Sequence, residues 1–533
     1  MKRIIAIILS ISMLFGAFSL TISAEETGTE NQYPICNGDC GKSPVIILHG
    51  ISQSTLAYLD ENGDYVIDEY GGYKTAQPFE LDARSLIRPL ILPIFKTMFL
   101  QKDYVSEPLT EAVRDILKNI TSDEKGMPPQ NIAAVSVNKS YAECNALERS
   151  AIASSISADY FSARAEVKED HAYFFCYNSF GNALDIASDF VDFIDMVKAQ
   201  TGHDKVSIVP ISMGATIINT AMGKYMDRIG NSIDKLVYVI PAANGSKLVT
   251  NLFEKELATD DESLYSTMFP TLMKGKWTAY LINIALHLFN NEVLLGIIDN
   301  LLDVLVDEIV IKNTNLWALI PYEDFDRILE IHPDFAEKYP NIYSQVLEYH
   351  NYQGDRYANL KTLEANGTKI YDICESDYPL YCIVPNSQFY NADGLIHFES
   401  SSLGGTSCVI GSTLQPSDYV NERVCTNPEH NHINHVRTVD LSTALFPETT
   451  WCFYGQSHKD TASNSAVICL ALDIVGDKVT DIYSNPEYPQ FIMAYDWQYL
   501  DYDLTSRAQF FKKWSDRLFG MYGNRGIFEL ARR

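Results

Sequence analysis

The stretch Lys205-Val-Ser-Ile-Val-Pro210-Ile-Ser212-Met-Gly214-Ala-Thr-Ile-Ile218 decides the fold. Residues 206–209 are a short β-branched apolar run, the pattern of a strand buried on both faces. From Gly214 the apolar positions change to a helical period that continues to Ile229. The few residues between leave room only for a sharp turn, and Gly214 and Ala215 are small enough for strand and helix to pass closely. A serine on such a turn projects beyond the strand's carboxyl end, with the positive end of the following helix behind it. Pro210 stands where a glycine would ease the turn, adding a ring and removing an amide.

Outward from this segment, further apolar runs at 45–48, 172–177, 236–240, 369–374 and 450–454 read as buried parallel strands. Helical patterns fill the intervals. At 182–200, Leu184, Ala187, Val191, Ile194 and Val197 recur at three- and four-residue steps before Gly202, and 462–475 ends at Gly476. Strands alternating with helices predict an α/β fold, a mostly parallel sheet with helices on both faces. Two long stretches break the rhythm. Residues 52–170 contain a hairpin signal at Asn62-Gly63 and a helix near 107–120. Residues 247–365 carry apolar helical runs at 277–288 and 293–306 together with Trp317, and predict either a helical cap over the sheet edge or a helical subdomain with its own core. The expected plan is a leader at 1–24, a core at 25–246 holding the first insertion, the helical insertion 247–365, and a second part of the core at 366–533, where 506–521 has an amphipathic pattern.

Lys2 and Arg3, the apolar run from Ile4 to Leu20, and Thr21-Ile-Ser-Ala24 have the layout of a cleaved secretory signal. An uncleaved anchor is the alternative, but the acidic polar residues 25–31 lack a basic stop-transfer flank. No later run reaches about 18 apolar residues, so a secreted chain without stable membrane insertion is expected. Ten cysteines fit an oxidising compartment, with Cys36/Cys40, Cys374/Cys382 and Cys408/Cys425 as candidate bridges. Cys176 and Cys452 lie in apolar runs and read as buried thiols. The formal charge of -28, with no Lys/Arg stripe, argues against nucleic acid or anionic lipid as the main partner.

Residues 44–51 are the second informative segment, a strand ending in His49-Gly50. Glycine lets the chain turn so that the next amide, that of Ile51, points beyond the strand end. With the amide of Met213 it would form two fixed donors for a developing oxyanion. His49 reads as a structural residue of this turn. A rival to Ser212 is Ser179 in Tyr177-Asn-Ser-Phe-Gly181, which also follows a strand and precedes a helix. Only Ser212 has a complete strand–helix unit between it and His49-Gly50.

Val45-Ile-Ile-Leu-His49-Gly50, Ala172-Tyr-Phe-Phe-Cys-Tyr177, residues 205–214, and Val239-Ile-Pro-Ala-Ala-Asn-Gly245-Ser246 together resemble the α/β-hydrolase superfamily. Within it, the chain resembles secreted lipases and esterases and the lecithin-cholesterol acyltransferase-like group. The resemblance covers 43–51 and 172–246, and 366–475 more loosely. It implies an α/β-hydrolase fold with motif residues His49, Gly50 and Gly214, and a triad in the order serine, acid, histidine. On that order His458, after the strand at 450–454, is the expected base for Ser212. Asp393, in Asn391-Ala-Asp-Gly-Leu-Ile396, resembles the acid motif, and Asp377, in Glu375-Ser-Asp-Tyr-Pro379, is the alternative acid. The implied activity is hydrolysis of carboxylic esters, lipid or otherwise hydrophobic, through an acyl-serine intermediate and without a cofactor. Alternatives are an acyltransferase or amidase using the same triad, or an inactive binding module on the scaffold.

Two further segments concentrate ligand-type side chains. Cys425-Thr-Asn-Pro-Glu429-His430-Asn-His432-Ile-Asn-His435 is not a closed four-ligand motif, so a polar loop is expected in preference to a metal site. Asp60-Glu-Asn62-Gly-Asp64-Tyr-Val-Ile-Asp68 has calcium-loop spacing, but Tyr65 and Gly71 stand where glycine and glutamate are needed, and a hairpin turn is expected.

Overall fold

The computed structural model describes residues 38–77, 88–153, 168–256, 286–381 and 383–494, and residues 277, 280 and 284. The leader, Cys36, Cys382, half of 277–288 and the pattern at 506–521 lie outside the described residues.

Seven strands make one sheet: β1 (Val45–Leu48), β2 (Ala172–Phe175), β3 (Val206–Pro210), β4 (Ile233–Val239), β5 (Lys369–Ser376), β6 (Thr450–Tyr454) and β7 (Phe491–Met493). Their order is β2-β1-β3-β4-β5-β6-β7, and every neighbouring pair is parallel. The fold is therefore α/β. Successive side chains of a strand point to opposite faces, so each strand feeds two cores. Val45, Ile47, Val209, Val237 and Phe453 lie in one; Ile46, Leu48, Ile208, Leu236 and Tyr238 lie in the other. β5 runs two residues past its apolar pattern because the polar Glu375 and Ser376 are themselves fully buried. β7 has only three residues and a partly exposed face, too little for a pattern to reveal.

Eight helices matter to the layout: α1 (Ile91–Leu100), α2 (Ser106–Leu117), α3 (Ala183–Thr201), α4 (Gly214–Ile229), α5 (Asn291–Val304), α6 (Pro340–Gly354), α7 (Arg356–Ala365) and α8 (Ser465–Val475). Asn182 caps α3 by accepting from the N–H groups of Leu184 and Asp185, and Gly202 ends it at φ 69, the left-handed geometry glycine allows. The two insertions meet where α2 packs on α5 and Arg114 pairs with Glu308 at 2.6 Å. Leu301, Leu302, Trp317 and Phe325 of the second insertion share one hydrophobic cluster with Val209 and Val239 of the sheet, so that part of the insertion does not have a core of its own. The end of the same insertion takes a different place. α6 and α7 lie against α4, so closely that a Cβ on Gly223 would fall 2.3 Å from Tyr352 Cδ1.

The hairpin expected at Asn62-Gly63 forms, with Leu59 bridged to Tyr65. Asp60 Oδ1 accepts from the N–H groups of Asn62 and Asp64, at 2.8 and 3.0 Å, and these bonds lower its pKa. The bridge expected between Cys408 and Cys425 is not formed, and both are free thiols. Cys408 Sγ is turned to Ser412 O, at 3.2 Å, and Cys425 Sγ to His430. Cys374 is likewise a free thiol, buried against Trp451 O. No helix among the described residues is long and apolar enough to cross a membrane.

Candidate active site

The chain passes from β1 to β2 on one flank, then crosses back to β3 on the other. Strand order reverses between β1 and β3, and the crevice beyond the carboxyl ends of strands at such a reversal is where open α/β sheets hold ligands. His49-Gly50-Ile51 leaves β1 there, and Ile211-Ser212-Met213 leaves β3 beside it.

Ser212 has φ 52, a left-handed conformation that costs a serine on the order of 1–3 kcal/mol. The backbone on both sides enforces it. Ser212 N–H donates to Val239 O, and Ser212 O accepts from the N–H groups of Ala242 and Ala215, all at 3.0–3.1 Å. Ile240, just past β4, has φ 45, rarer still for a β-branched residue. The crowding at this edge also accounts for two glycines. A Cβ on Gly214 would lie 3.0 Å from Leu48 O, and one on Gly50 would lie 3.2 Å from Ser212 Cβ. Proline at 210 breaks no bond to β1, because the bond closing β3 against β1 here runs from Ile211 N–H to Leu48 O at 3.0 Å.

His458, in the turn after β6, brings Nε2 to 3.0 Å from Ser212 Oγ and Nδ1 to 2.7 Å from Asp393 Oδ2. Asp393 follows a short antiparallel pair, Tyr378–Pro379 with Asn391–Ala392, which returns the chain from β5. Its Oδ1 accepts from the N–H groups of Leu395 and Ile396, at 2.9 and 2.7 Å. A carboxylate held in this way can only accept from His458 Nδ1–H, so Nε2 presents its lone pair and Ser212 Oγ–H donates to it. Asp393 is fully buried, and His458 N–H donates to Asp393 O at 2.7 Å, so backbone as well as side chain ties the histidine to the aspartate.

The competing candidates are bonded elsewhere. Asp377 accepts from Asn391 Nδ2 at 3.0 Å and from Thr438 Oγ1 at 2.9 Å, and makes no bond to His458. Ser179 Oγ accepts from Ser52 N–H at 3.0 Å. His49 is fully buried, its pKa pushed down to about 4 by desolvation, and its carbonyl accepts from Tyr177 Oη at 2.8 Å. A neutral ring locked into the turn is what a structural residue requires. Ile51 and Met213 have amides with no acceptor among the described residues, whereas the amides of Gly214, Ala215 and Thr216 are all bonded.

Glu375, at the end of β5, is a residue that sequence reasoning missed. Its Oε1 accepts from Thr461 Oγ1 at 2.6 Å and from Gln456 Nε2, so it grips the chain on both sides of His458. Burial, with Asp393 nearby, raises its carboxyl well above the ordinary range and favours the neutral form. The signal available was a pair of acidic residues, Asp372 and Glu375, within a strand whose apolar positions mark it as buried, where charges are out of place. A groove of about 670 Å³ runs along the outer edge of β2, past Ile132, Phe175, Asp185 and Phe193, and none of Ser212, Asp393 or His458 lines it. Comparison with known protein families finds no match to the chain, and comparison with curated proteins finds none either.

Proposed function

We propose that the chain is a serine hydrolase of the α/β-hydrolase kind that cleaves carboxylic esters. The observation that carries this reading is the hydrogen-bonded line from Ser212 Oγ through His458 to Asp393 at the carboxyl edge of the sheet. Ser212 Oγ attacks the ester carbonyl carbon while its proton passes to His458 Nε2. The electron pair displaced onto the carbonyl oxygen is held by the amides of Ile51 and Met213. Collapse of this intermediate breaks the ester C–O bond, and His458 returns the proton to the departing alcohol. Water then repeats the sequence on the acyl-serine, releasing the acid. Asp393 holds His458 in the required tautomer throughout, and the chemistry calls for no cofactor.

Hydrophobic esters, lipids among them, are the substrates we favour. α1 carries exposed Leu92, Phe95, Phe99 and Leu100, an apolar surface suited to acyl chains. Export is part of the same proposal and rests on the leader-like residues 1–24. The test is covalent labelling with a fluorophosphonate, followed by turnover of p-nitrophenyl esters of increasing chain length. The expected result is a labelled Ser212 peptide and turnover that favours longer acyl chains. An unlabelled chain, or ester turnover equal in wild type and Ser212→Ala, overturns the proposal.

A further inference from the structure

The segment 425–435 reaches the carboxyl end of β6 at its last residue, where His435 Nδ1 lies 3.2 Å from Tyr454 Oη, and its first part lies towards the other ends of the strands. Its neighbours Glu448 and Gln490 stand just before β6 and β7, at the amino ends of strands whose carboxyl side holds the triad. Within the segment three donors converge: Cys425 Sγ and one ring nitrogen each of His430 and His432 lie within 4.8 Å of one another. Cys425 Sγ and His430 Nδ1 are 3.6 Å apart. A tetrahedral zinc ion, with Zn–S near 2.3 Å and Zn–N near 2.0–2.1 Å, sets adjacent sulfur and nitrogen ligands about 3.6 Å apart.

The network around His432 shows which of its nitrogens is offered. Gln490 Nε2 donates to Pro447 O at 2.8 Å and to Thr450 O at 3.0 Å, which turns Gln490 Oε1 towards His432 Nδ1 at 3.0 Å. An amide oxygen can only accept, so His432 Nδ1 carries the ring proton and Nε2 a bare lone pair. His432 is 3% exposed, and its Nε2 is buried without a hydrogen-bond partner among the described residues. A buried acceptor with no donor is costly, and a cation relieves it. Metal-bound histidines characteristically have the second ring N–H engaged by an oxygen acceptor, the part Gln490 plays here.

We propose that Cys425, His430 and His432 bind a zinc ion, with Gln490 as the positioning residue that orients His432. Binding forms one Zn–S and two Zn–N bonds and releases the Cys425 thiol proton to solvent. Sulfur and imidazole donors select zinc over calcium or magnesium, which take oxygen. Glu448 Oε1, 3.1 Å from His430 Nδ1, is a half-exposed carboxylate within reach of the fourth position. The role is structural. The ion ties the connection between the Asp393 segment and β6 to the start of β7.

The test is zinc content of the full-length protein after equilibration with zinc and gel filtration. Cys40, His171 and His203 form another donor group of the same type, so the site is located by difference. His432→Ala and Cys425→Ser should each lower bound zinc by one equivalent per chain relative to wild type. Gln490→Leu should weaken zinc binding about 10–100-fold. Cobalt exchanged for zinc should show thiolate-to-cobalt charge-transfer absorption that is weaker in Cys425→Ser than in wild type. His430→Asn, at a partly exposed position, repeats the zinc measurement should the buried His432 variant fail to fold. Wild type without bound zinc, or Cys425→Ser and His430→Asn chains with wild-type zinc content, overturns the proposal.

Discussion

β2 and β3 each end in a serine-bearing turn that leads into a helix, Ser179 before α3 and Ser212 before α4. Both serines are buried, at 2% and 7% exposure, so accessibility does not separate them. Their surroundings do. The Ser179 turn is a fastening for the two insertions. Its hydroxyl receives Ser52 N–H from the first, and Asn313 Nδ2 and Asn315 Nδ2 of the second donate to the carbonyls of Phe180 and Ser179. The Ser212 turn is held by the sheet itself, in left-handed backbone, and its hydroxyl faces a histidine. Asp377 and Asp393 repeat the contrast, one carboxyl spent on loop-to-loop bonds and the other turned to His458. One local pattern thus serves two ends, and the choice is made by residues distant in sequence.

The largest expected effect tests the contrast directly. Ser212→Ala should lower ester turnover by about 10⁴–10⁶-fold and abolish fluorophosphonate labelling, while Ser179→Ala keeps the label. A label lost in Ser179→Ala and kept in Ser212→Ala would reverse the two roles. Next is Asp393→Asn, expected to cost about 10⁴-fold in kcat because an amide no longer enforces the Nδ1–H tautomer of His458. Equal losses in Asp393→Asn and Asp377→Asn would erase the distinction between the carboxyls.

Gly214→Ala probes the crowding between the second turn and the end of β1. Its Cβ would press on Leu48 O, a backbone atom that cannot swing aside, and urea melts should show a loss of about 1–3 kcal/mol. Ser179→Ala should cost about 1–2 kcal/mol in the same melts, because Ser52 N–H loses its acceptor. Its effect on turnover should be small, confined to a shift of the neighbouring Ile51 amide.

These contrasts mark how far the residues themselves could be read. β1 and β6 have the bounds their apolar runs predict, because strands buried on both faces need uninterrupted apolar residues. The same rule hid the end of β5, where Glu375 and Ser376 are buried but polar, and hid β7, which is short and half solvated. Asp393 and His458 were placed by strand order and resemblance, because a carboxylate on a turn looks the same whether it faces a histidine or an asparagine. Spacing also suggested a Cys408–Cys425 bridge, which requires two thiols to face each other; each faces a nearer polar atom of its own loop. The donor set at 425–435 was visible in outline. What makes it a candidate site is the tautomer of His432, and that depends on Gln490, far along the chain.

The smallest effect expected is a change in pH dependence at Asp377. Burial raises its carboxyl pKa, against the opposing bonds from Asn391 and Thr438. A carboxyl whose folded pKa lies above its unfolded value binds its proton more tightly in the folded state. Its contribution to stability is complete below the unfolded pKa and is lost as pH rises through the raised folded value. Asparagine keeps an oxygen for Asn391 Nδ2 and cannot ionise, so Asp377→Asn should lack that loss. Glu375 and Asp372 are also buried carboxyls with raised pKa values, and act in the same direction in both proteins. The informative quantity is therefore the difference between urea melts of wild type and Asp377→Asn across the acidic range. That difference should grow in favour of the variant as pH rises towards neutrality. A difference that grows in favour of wild type would mean that Asp377 is a stabilised carboxylate, and would restore it as a rival to Asp393.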